Sequence, residues 1–341
     1  MLWDYNKNYS QLMTEDSNIL LGVLQFHRSM TDYYTATLEK KIGEVYIKDE
    51  SDRMGTGSFK ILGVSYAIYK LYEKMCHSNN FNGLKDYFDK RKTTFVTASD
   101  GNFGIAMSYF CKLLHQECRV FIPQTTPEYY VNKMKINKAE INFVDGNYDE
   151  CVEKANEYNG KENVSVILDT SKEGMHMSDI AENVINGYTT LFAEKGNQYY
   201  DYIFVPAGVG GVAAAAVKYN RCIGNSACKI ICVEPINYNS LQKSLINGYL
   251  TQIKGSNTLM NGLKCGCPSE AAWQYIQSGV YGSISISDSE CIIGKEELER
   301  KGINTGYTGA SAYAGYKAFC HEEIEDLKGK KILILNTEYS E

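Results

Sequence analysis

The sequence encodes an α/β protein with two open sheets of parallel type and flanking helices. Short β-branched runs alternate with helix-length amphipathic segments over most of the chain, the pattern of strands joined by crossover helices. The runs fall into two groups, and 341 residues are enough for two such layers, each with a core. The first group is "TTFVTAS" (93–99), "CRVFIP" (118–123) and "INFVD" (141–145). The second is "VSVILD" (164–169), "YIFVPAG" (202–208), "KIICVEP" (229–235) and "KILILNT" (331–337). No internal repeat, low-complexity tract or Pro/Gly-rich linker marks a boundary. The grouping alone sets a large domain of residues 1–60 and 165–341 around a small domain of residues 61–164.

Composition narrows the partners. Charged residues make up 22% of the chain, the net charge is -6, and acidic and basic side chains are interspersed without a Lys/Arg block, so no nucleic-acid surface is expected. No apolar run approaches the roughly 18–20 residues of a membrane helix. The opening "MLWDYNKNYSQLMTEDS" has no basic flank before an apolar core, so no membrane partner is expected and the reading is cytoplasmic. The partner is expected to be small. Eleven cysteines scattered through strand-like and helix-like segments read as buried thiols of a reducing compartment. Cys265-Gly-Cys267 is too tight for a usual zinc half-site and has no second pair or nearby His, so no metal is expected; a redox bridge from this segment to Cys291 stays open.

One lysine stands out. In "TGSFKILG", Lys60 follows a Gly-Ser-Phe turn where a helical apolar pattern begins (Ile61, Leu62, Val64, Ala67, Ile68). The positive end of the helix dipole disfavours a cation there, so its position needs a reason. Other candidates cluster at strand ends, where open α/β sheets bind ligands. Ser99, Asp100, Gly101 and Asn102 follow the run at 93–99; Gly208, Val209, Gly210, Gly211 and Val212 follow the run at 202–208; Thr337 ends the run at 331–337. Taken singly, each has a plain explanation. Asp-Gly-Asn is a common turn, and a glycine cluster can be a close-packed corner. The same cluster opening a helix also aims several N–H groups at one point and can bind phosphate. It lacks the spacing of a dinucleotide fingerprint and the Lys-Ser/Thr of a P-loop, so a single phosphate on a small cofactor fits better. A lysine, a phosphate nest and strand-end polar groups together suggest pyridoxal 5′-phosphate (PLP), whose aldehyde needs an amine, whose phosphate needs a cradle and whose ring needs hydrogen-bond partners.

"TGSFK", "SDGN" and "AGVGG" resemble, in this order, the lysine motif, asparagine loop and glycine-rich phosphate loop of fold-type II PLP enzymes. That family, with its tryptophan synthase β-like fold, includes threonine dehydratase, threonine synthase and cysteine synthase. The likeness runs from about residue 45 to the C-terminus. Within the family, "KDESDRMGTGSFKILGVSYAI" (48–68), "TASDGNFGIA" (97–106), "VDGNYDECVEKA" (144–155), "LDTSKEGM" (168–175), "LMNGLKCGCPS" (259–269) and "LILNTE" (333–338) resemble segments of the diaminopropionate ammonia-lyases. The sequence departs from that pattern at Phe103, where a histidine is usual, and within "KEGMHMSDI" (172–180).

The resemblance implies that Lys60 carries the cofactor, Asn102 meets its ring hydroxyl, Gly208 to Val212 hold its phosphate and Thr337 is the neutral partner of its ring nitrogen. The Ser99–Asn102 turn would take the substrate carboxylate, with Ser99 and Gly101 as its groups. Asp100 and Asp169 would take the α-proton from opposite enantiomers of 2,3-diaminopropionate, giving pyruvate and ammonia. The plain alternative for Asp169 is an N-cap of the segment that follows it. A serine/threonine dehydratase or a β-replacement enzyme of the cysteine synthase kind is the second reading, and a non-catalytic PLP-binding protein the third. The family resemblance further implies a homodimer.

Overall fold

The computed structural model describes residues 1–10, 14–37, 39–99, 101–171, 178–196 and 198–339. Among them are eleven strands: β1 (Leu2–Tyr5), β2 (Glu39–Ile42), β3 (Val45–Asp49), β4 (Thr94–Ala98), β5 (Glu117–Pro123), β6 (Glu140–Val144), β7 (Val164–Val166), β8 (Tyr202–Pro206), β9 (Lys229–Pro235), β10 (Gly282–Ile286) and β11 (Ile332–Asn336). They form a seven-stranded sheet in the order β1-β10-β9-β8-β11-β3-β2 and a four-stranded sheet in the order β6-β5-β4-β7. The small sheet is parallel throughout. The large one is parallel from β10 to β3 and closed at each edge by an antiparallel strand, β1 on β10 and β2 on β3.

Strand burial follows from this layering. Every residue of β8, β10 and β11 is buried, because helices cover both faces of a parallel sheet and leave no side for polar alternation. The edge strand β2 carries Glu39, Lys40 and Lys41, which keep its open side from pairing with another chain. The strand expected at 164–169 in the second group is corrected: its strand part, β7, pairs with β4 and belongs to the small sheet. A short apolar run carries no label for its neighbour.

The helix Lys60–Cys76 packs closely on the helix Ser178–Tyr188. A Cβ on Gly187 would lie 2.3 Å from the main-chain oxygen of Leu62, so this crossing requires glycine there. Ahead of the Lys60 turn lies a buried ionic cluster. Arg53 donates to Glu50 at 2.7 Å through Nε and to Glu194 at 2.9 Å through Nη1, and Lys48 pairs with Glu194. Burial alone would raise the Glu194 pKa, but Arg53 and Lys48 hold the carboxyl below its usual range. Each charged group of the cluster is paired and hydrogen-bonded, as buried charge must be, and the cluster lies just before the lysine turn.

Candidate active site

Loops after β4, β8 and β11 converge with the start of the Lys60 helix on one cleft. Lys60 is the first residue of its helix, and its Nζ donates to Asp169 Oδ2 at 2.8 Å. The rings of Phe59, Phe103 and Tyr188 surround Nζ at 5.4, 5.7 and 5.8 Å from their centroids. Burial would lower the lysine pKa, yet the Asp169 carboxylate and then Tyr188 outweigh it, so the net shift is upward. This resolves the position of a cation at a helix start: the lysine is a paired ammonium, and Asp169 supplies the charge that the helix dipole does not. The other carboxylate oxygen, Asp169 Oδ1, accepts the Tyr148 hydroxyl at 2.8 Å. Asp169 therefore faces the cleft with both oxygens engaged. No described helix begins on it; residues 172–177, where a capped segment was expected, lie outside the described residues.

The turn after β4 is shaped by Ser99. Its Oγ accepts the N–H groups of Gly101 at 3.0 Å and Gly104 at 2.8 Å and thereby organises the start of the helix Asn102–Leu113. Asn102, the first residue of that helix, donates through Nδ2 to Glu338 Oε2 at 2.6 Å. Ser99, Gly101 and Asn102 all line the cleft; Asp100 lies outside the described residues.

Opposite them, Gly208 to Val212 connect β8 to the helix Gly211–Cys222, whose N-cap is Gly210 at φ +92°. A Cβ on Gly210 would lie 2.5 Å from Ile276 Cδ1, and one on Gly208 would lie 2.9 Å from the Gly262 carbonyl oxygen, so main chain and space both demand Gly210, and space demands Gly208. Among the described lining residues Lys60 is the only lysine or arginine, so an anion at this loop would be met by main-chain N–H groups and the helix end. Thr337 follows β11, and its Oγ1 is buried with no hydrogen-bond partner.

These features fit PLP. An orphaned buried hydroxyl is costly unless a ligand atom meets it, and Thr337 supplies one at the cleft wall. A glycine cradle at a helix N-terminus suits one phosphate, and an amine stands at the cleft's centre. Of the expected residues, only Asp100 is not placed. Sequence reasoning missed Tyr148, Tyr188 and Glu338, which also line the cleft. The one local signal is the Asn147/Glu150 capping box, which marks Tyr148 as a first-turn residue and so fixes where its side chain starts.

Cys265 lies in the cleft wall, and none of the eleven cysteines, Cys267 and Cys291 included, is in a disulfide. Among the described residues no helix is long and apolar enough to cross a membrane.

The comparisons agree with this geometry. The profile of the family described as Pyridoxal-phosphate dependent enzyme matches residues 26–338. Diaminopropionate ammonia-lyase of Escherichia coli (strain K12) is 26% identical, with 92% of this chain and 86% of that protein covered. The protein of the same description from Salmonella typhimurium is 28% identical, with 95% and 89% covered. The crystal structure of the Escherichia coli enzyme in complex with an aminoacrylate-PLP azomethine reaction intermediate superposes with a TM-score of 0.86 at 24% identity, over 99% of this chain and 93% of that one. The chain belongs to the pyridoxal-phosphate dependent enzymes, with the type II fold and pyridoxal 5′-phosphate as its cofactor.

Proposed function

We propose that this enzyme is an ammonia-lyase that eliminates the β-amino group of 2,3-diaminopropionate and gives pyruvate and ammonia. The observation that carries the reading is Asp169, a second acid/base group bonded directly to the lysine and held from its far side by Tyr148. Relatives described as diaminopropionate ammonia-lyase support the substrate. A homodimer, a cytoplasmic location and a division into a large domain (1–60 and 165–341) and a small one (61–164), with the second boundary moved past β7, belong to the same reading.

Bound PLP supplies an electron sink that makes the α-C–H of an amino acid acidic. The residues do the rest. Gly208 to Val212 would hold the phosphate with main-chain N–H groups, Asn102 would donate to the ring hydroxyl, and Thr337 would offer the ring nitrogen a neutral hydroxyl. A hydroxyl there would be a neutral partner and would not, as a carboxylate would, favour protonation of that nitrogen. Ser99 to Asn102 orient the substrate carboxylate. Asp169 accepts the α-proton on one face, with Oδ1 fixed by Tyr148; Asp100 is assigned the other face. Lys60 would carry the cofactor and, once released, its Nζ could hold a proton for the departing amine.

A serine/threonine dehydratase, or a β-replacement enzyme, is the second reading, and the relative described as Threonine dehydratase, 23% identical over 88% of this chain, supports it. There the lysine itself would take the α-proton while Asp169 merely holds it. The test is a panel of D- and L-diaminopropionate, serine, threonine, and O-acetylserine with sulfide, scored for pyruvate, ammonia and thiol product. Diaminopropionate should give the highest kcat/KM. Preference for serine or threonine, or a sulfide-dependent product, moves the assignment to the second reading. Inactivity on every member by a protein saturated with PLP moves it to a non-catalytic binder.

A further inference from the structure

Glu338 is a carboxylate that the proposed reaction does not use, and it sits in the cleft wall. It follows Thr337 directly, is only 6% exposed, and has both oxygens engaged. Oε2 accepts Asn102 Nδ2–H at 2.6 Å, and Oε1 accepts the Thr308 N–H at 3.2 Å, at the start of the helix Tyr307–His321. Its main chain forms a β-bridge with Ser58, two residues before Lys60. One residue thus ties the lysine turn, the C-terminal loop and the first residue of the Asn102 helix.

A carboxylate only accepts hydrogen bonds, whereas an amide has two N–H donors on one end and an acceptor on the other. Glu338 therefore decides which end of Asn102 faces it: the nitrogen, with the second N–H left to give. A charge-assisted bond as short as 2.6 Å also holds the amide against rotation. The geometry points to Glu338 as the positioning residue for Asn102, fixing the amide so that its remaining N–H meets the ring-hydroxyl oxygen of the cofactor. This rests on the assignment of Asn102 to that oxygen and not on the substrate, so a wrong substrate leaves it intact.

The consequence has a sign. A fixed N–H donor stabilises the ring oxygen in its deprotonated form, which absorbs in the visible; the protonated form absorbs in the near ultraviolet. If Glu338 acts through Asn102, its removal lowers the visible-to-ultraviolet ratio. If Glu338 acts on the ring by its own charge, its removal raises the ratio, because a nearby negative charge opposes deprotonation.

The experiment compares holoenzyme spectra of the parent, Glu338→Ala, Glu338→Gln, Asn102→Ala and the double Ala variant, each at equal lysine-linked cofactor measured by borohydride trapping. Glu338→Ala should lower the ratio about fivefold, as the loss of one hydrogen bond of ordinary net strength sets it. Glu338→Gln should lie between, since its single carbonyl oxygen still accepts from Asn102. Asn102→Ala should match Glu338→Ala, and the double variant should add nothing. A raised ratio in Glu338→Ala, a further change in the double variant, or an unchanged spectrum in Asn102→Ala overturns the proposal. If Glu338→Ala does not hold the cofactor, Glu338→Gln with and without Asn102→Ala makes the same comparison.

Discussion

Asp169 has two partners, and they divide its work. Lys60 is its counter-charge and Tyr148 sets its direction, each at 2.8 Å. If Asp169 and Asp100 are bases for opposite faces, Asp169→Asn should lose activity mainly on L-diaminopropionate and Asp100→Asn mainly on the D isomer. Asparagine keeps the shape but accepts no proton, so the loss belongs in kcat, by about 10²–10⁴-fold. Asp169→Asn should also lower the Lys60 pKa, because the carboxylate is the largest influence raising it. Steady-state kinetics on both isomers decide the first point; equal, small losses would return Asp169 to a purely structural part and favour the dehydratase. Lys60 and Asn102 were legible because each sits in a short string whose residue types already state a need: an amine at a turn, an amide at a helix start. Tyr148 and Glu338 were not, because their meaning lies in distance. Glu338 is 236 residues from the amide it holds, and nothing local in "NTE" says so.

At the scale of elements, the turn from β8 into the helix Gly211–Cys222 is constrained twice over, by backbone and by space. The left-handed backbone at Gly210 costs a substituted residue about 1–2 kcal/mol before any contact is counted. A Cβ there also meets Ile276 Cδ1 at 2.5 Å. Gly210→Ala should therefore lower thermal stability and weaken PLP retention, while Gly210→Asp, which adds a charge like that of the phosphate, should abolish retention. PLP content after dialysis, with circular dichroism to confirm folding, measures both; full occupancy in a folded Gly210→Asp would refute the nest. Strands were legible where a short β-branched or aromatic run stands between helix-length segments, and β1, β2 and β3, ahead of the first such alternation, were not anticipated. The expected runs at 93–99, 118–123, 141–145, 202–208, 229–235 and 331–337 correspond to β4, β5, β6, β8, β9 and β11. β10 escaped notice because "GSISI" offers two small serines whose burial depends on partners, Ser283 on Glu234 and Ser285 on Gln242. β7 was placed in the wrong sheet because pairing, unlike strand propensity, is not written in a run of six residues.

Over the whole molecule, two buried titratable groups outside the cleft oppose one another, and their balance is measurable. His27, in the helix Asn18–Arg28, joins that helix to the lysine helix and to Thr190. Its Nε2 lies 3.1 Å from the Leu62 carbonyl oxygen and so carries the proton, while Nδ1 at 2.8 Å accepts from the Thr190 hydroxyl. Burial, outweighing the Leu62 carbonyl, lowers its pKa from 6.5 to about 3. The folded state then binds fewer protons than the unfolded one between these values, so stability falls as pH falls through the window, by up to about 1.4 kcal/mol per pH unit. Glu234 does the reverse. Burial, despite hydrogen bonds from the N–H groups of Leu241 and Gln242 and from Ser283, raises its pKa from 4.5 to about 8, so stability rises as pH falls from 8 to 4.5. Between 6.5 and 4.5 the two slopes cancel; below 4.5 His27 acts unopposed by Glu234, and Glu194, whose pKa is held low, adds to the loss. Stability from denaturant unfolding should therefore rise from pH 8 to 6.5, level off to 4.5 and then fall. Glu234→Gln should turn the level stretch into a decline on acidification, and His27→Gln should turn it into a continued rise. Slopes are the readout, since either substitution also changes the absolute stability. A His27→Gln variant with the parent's slope between pH 6.5 and 4.5 would show that the imidazole takes up its proton in the folded protein as it does in the unfolded chain.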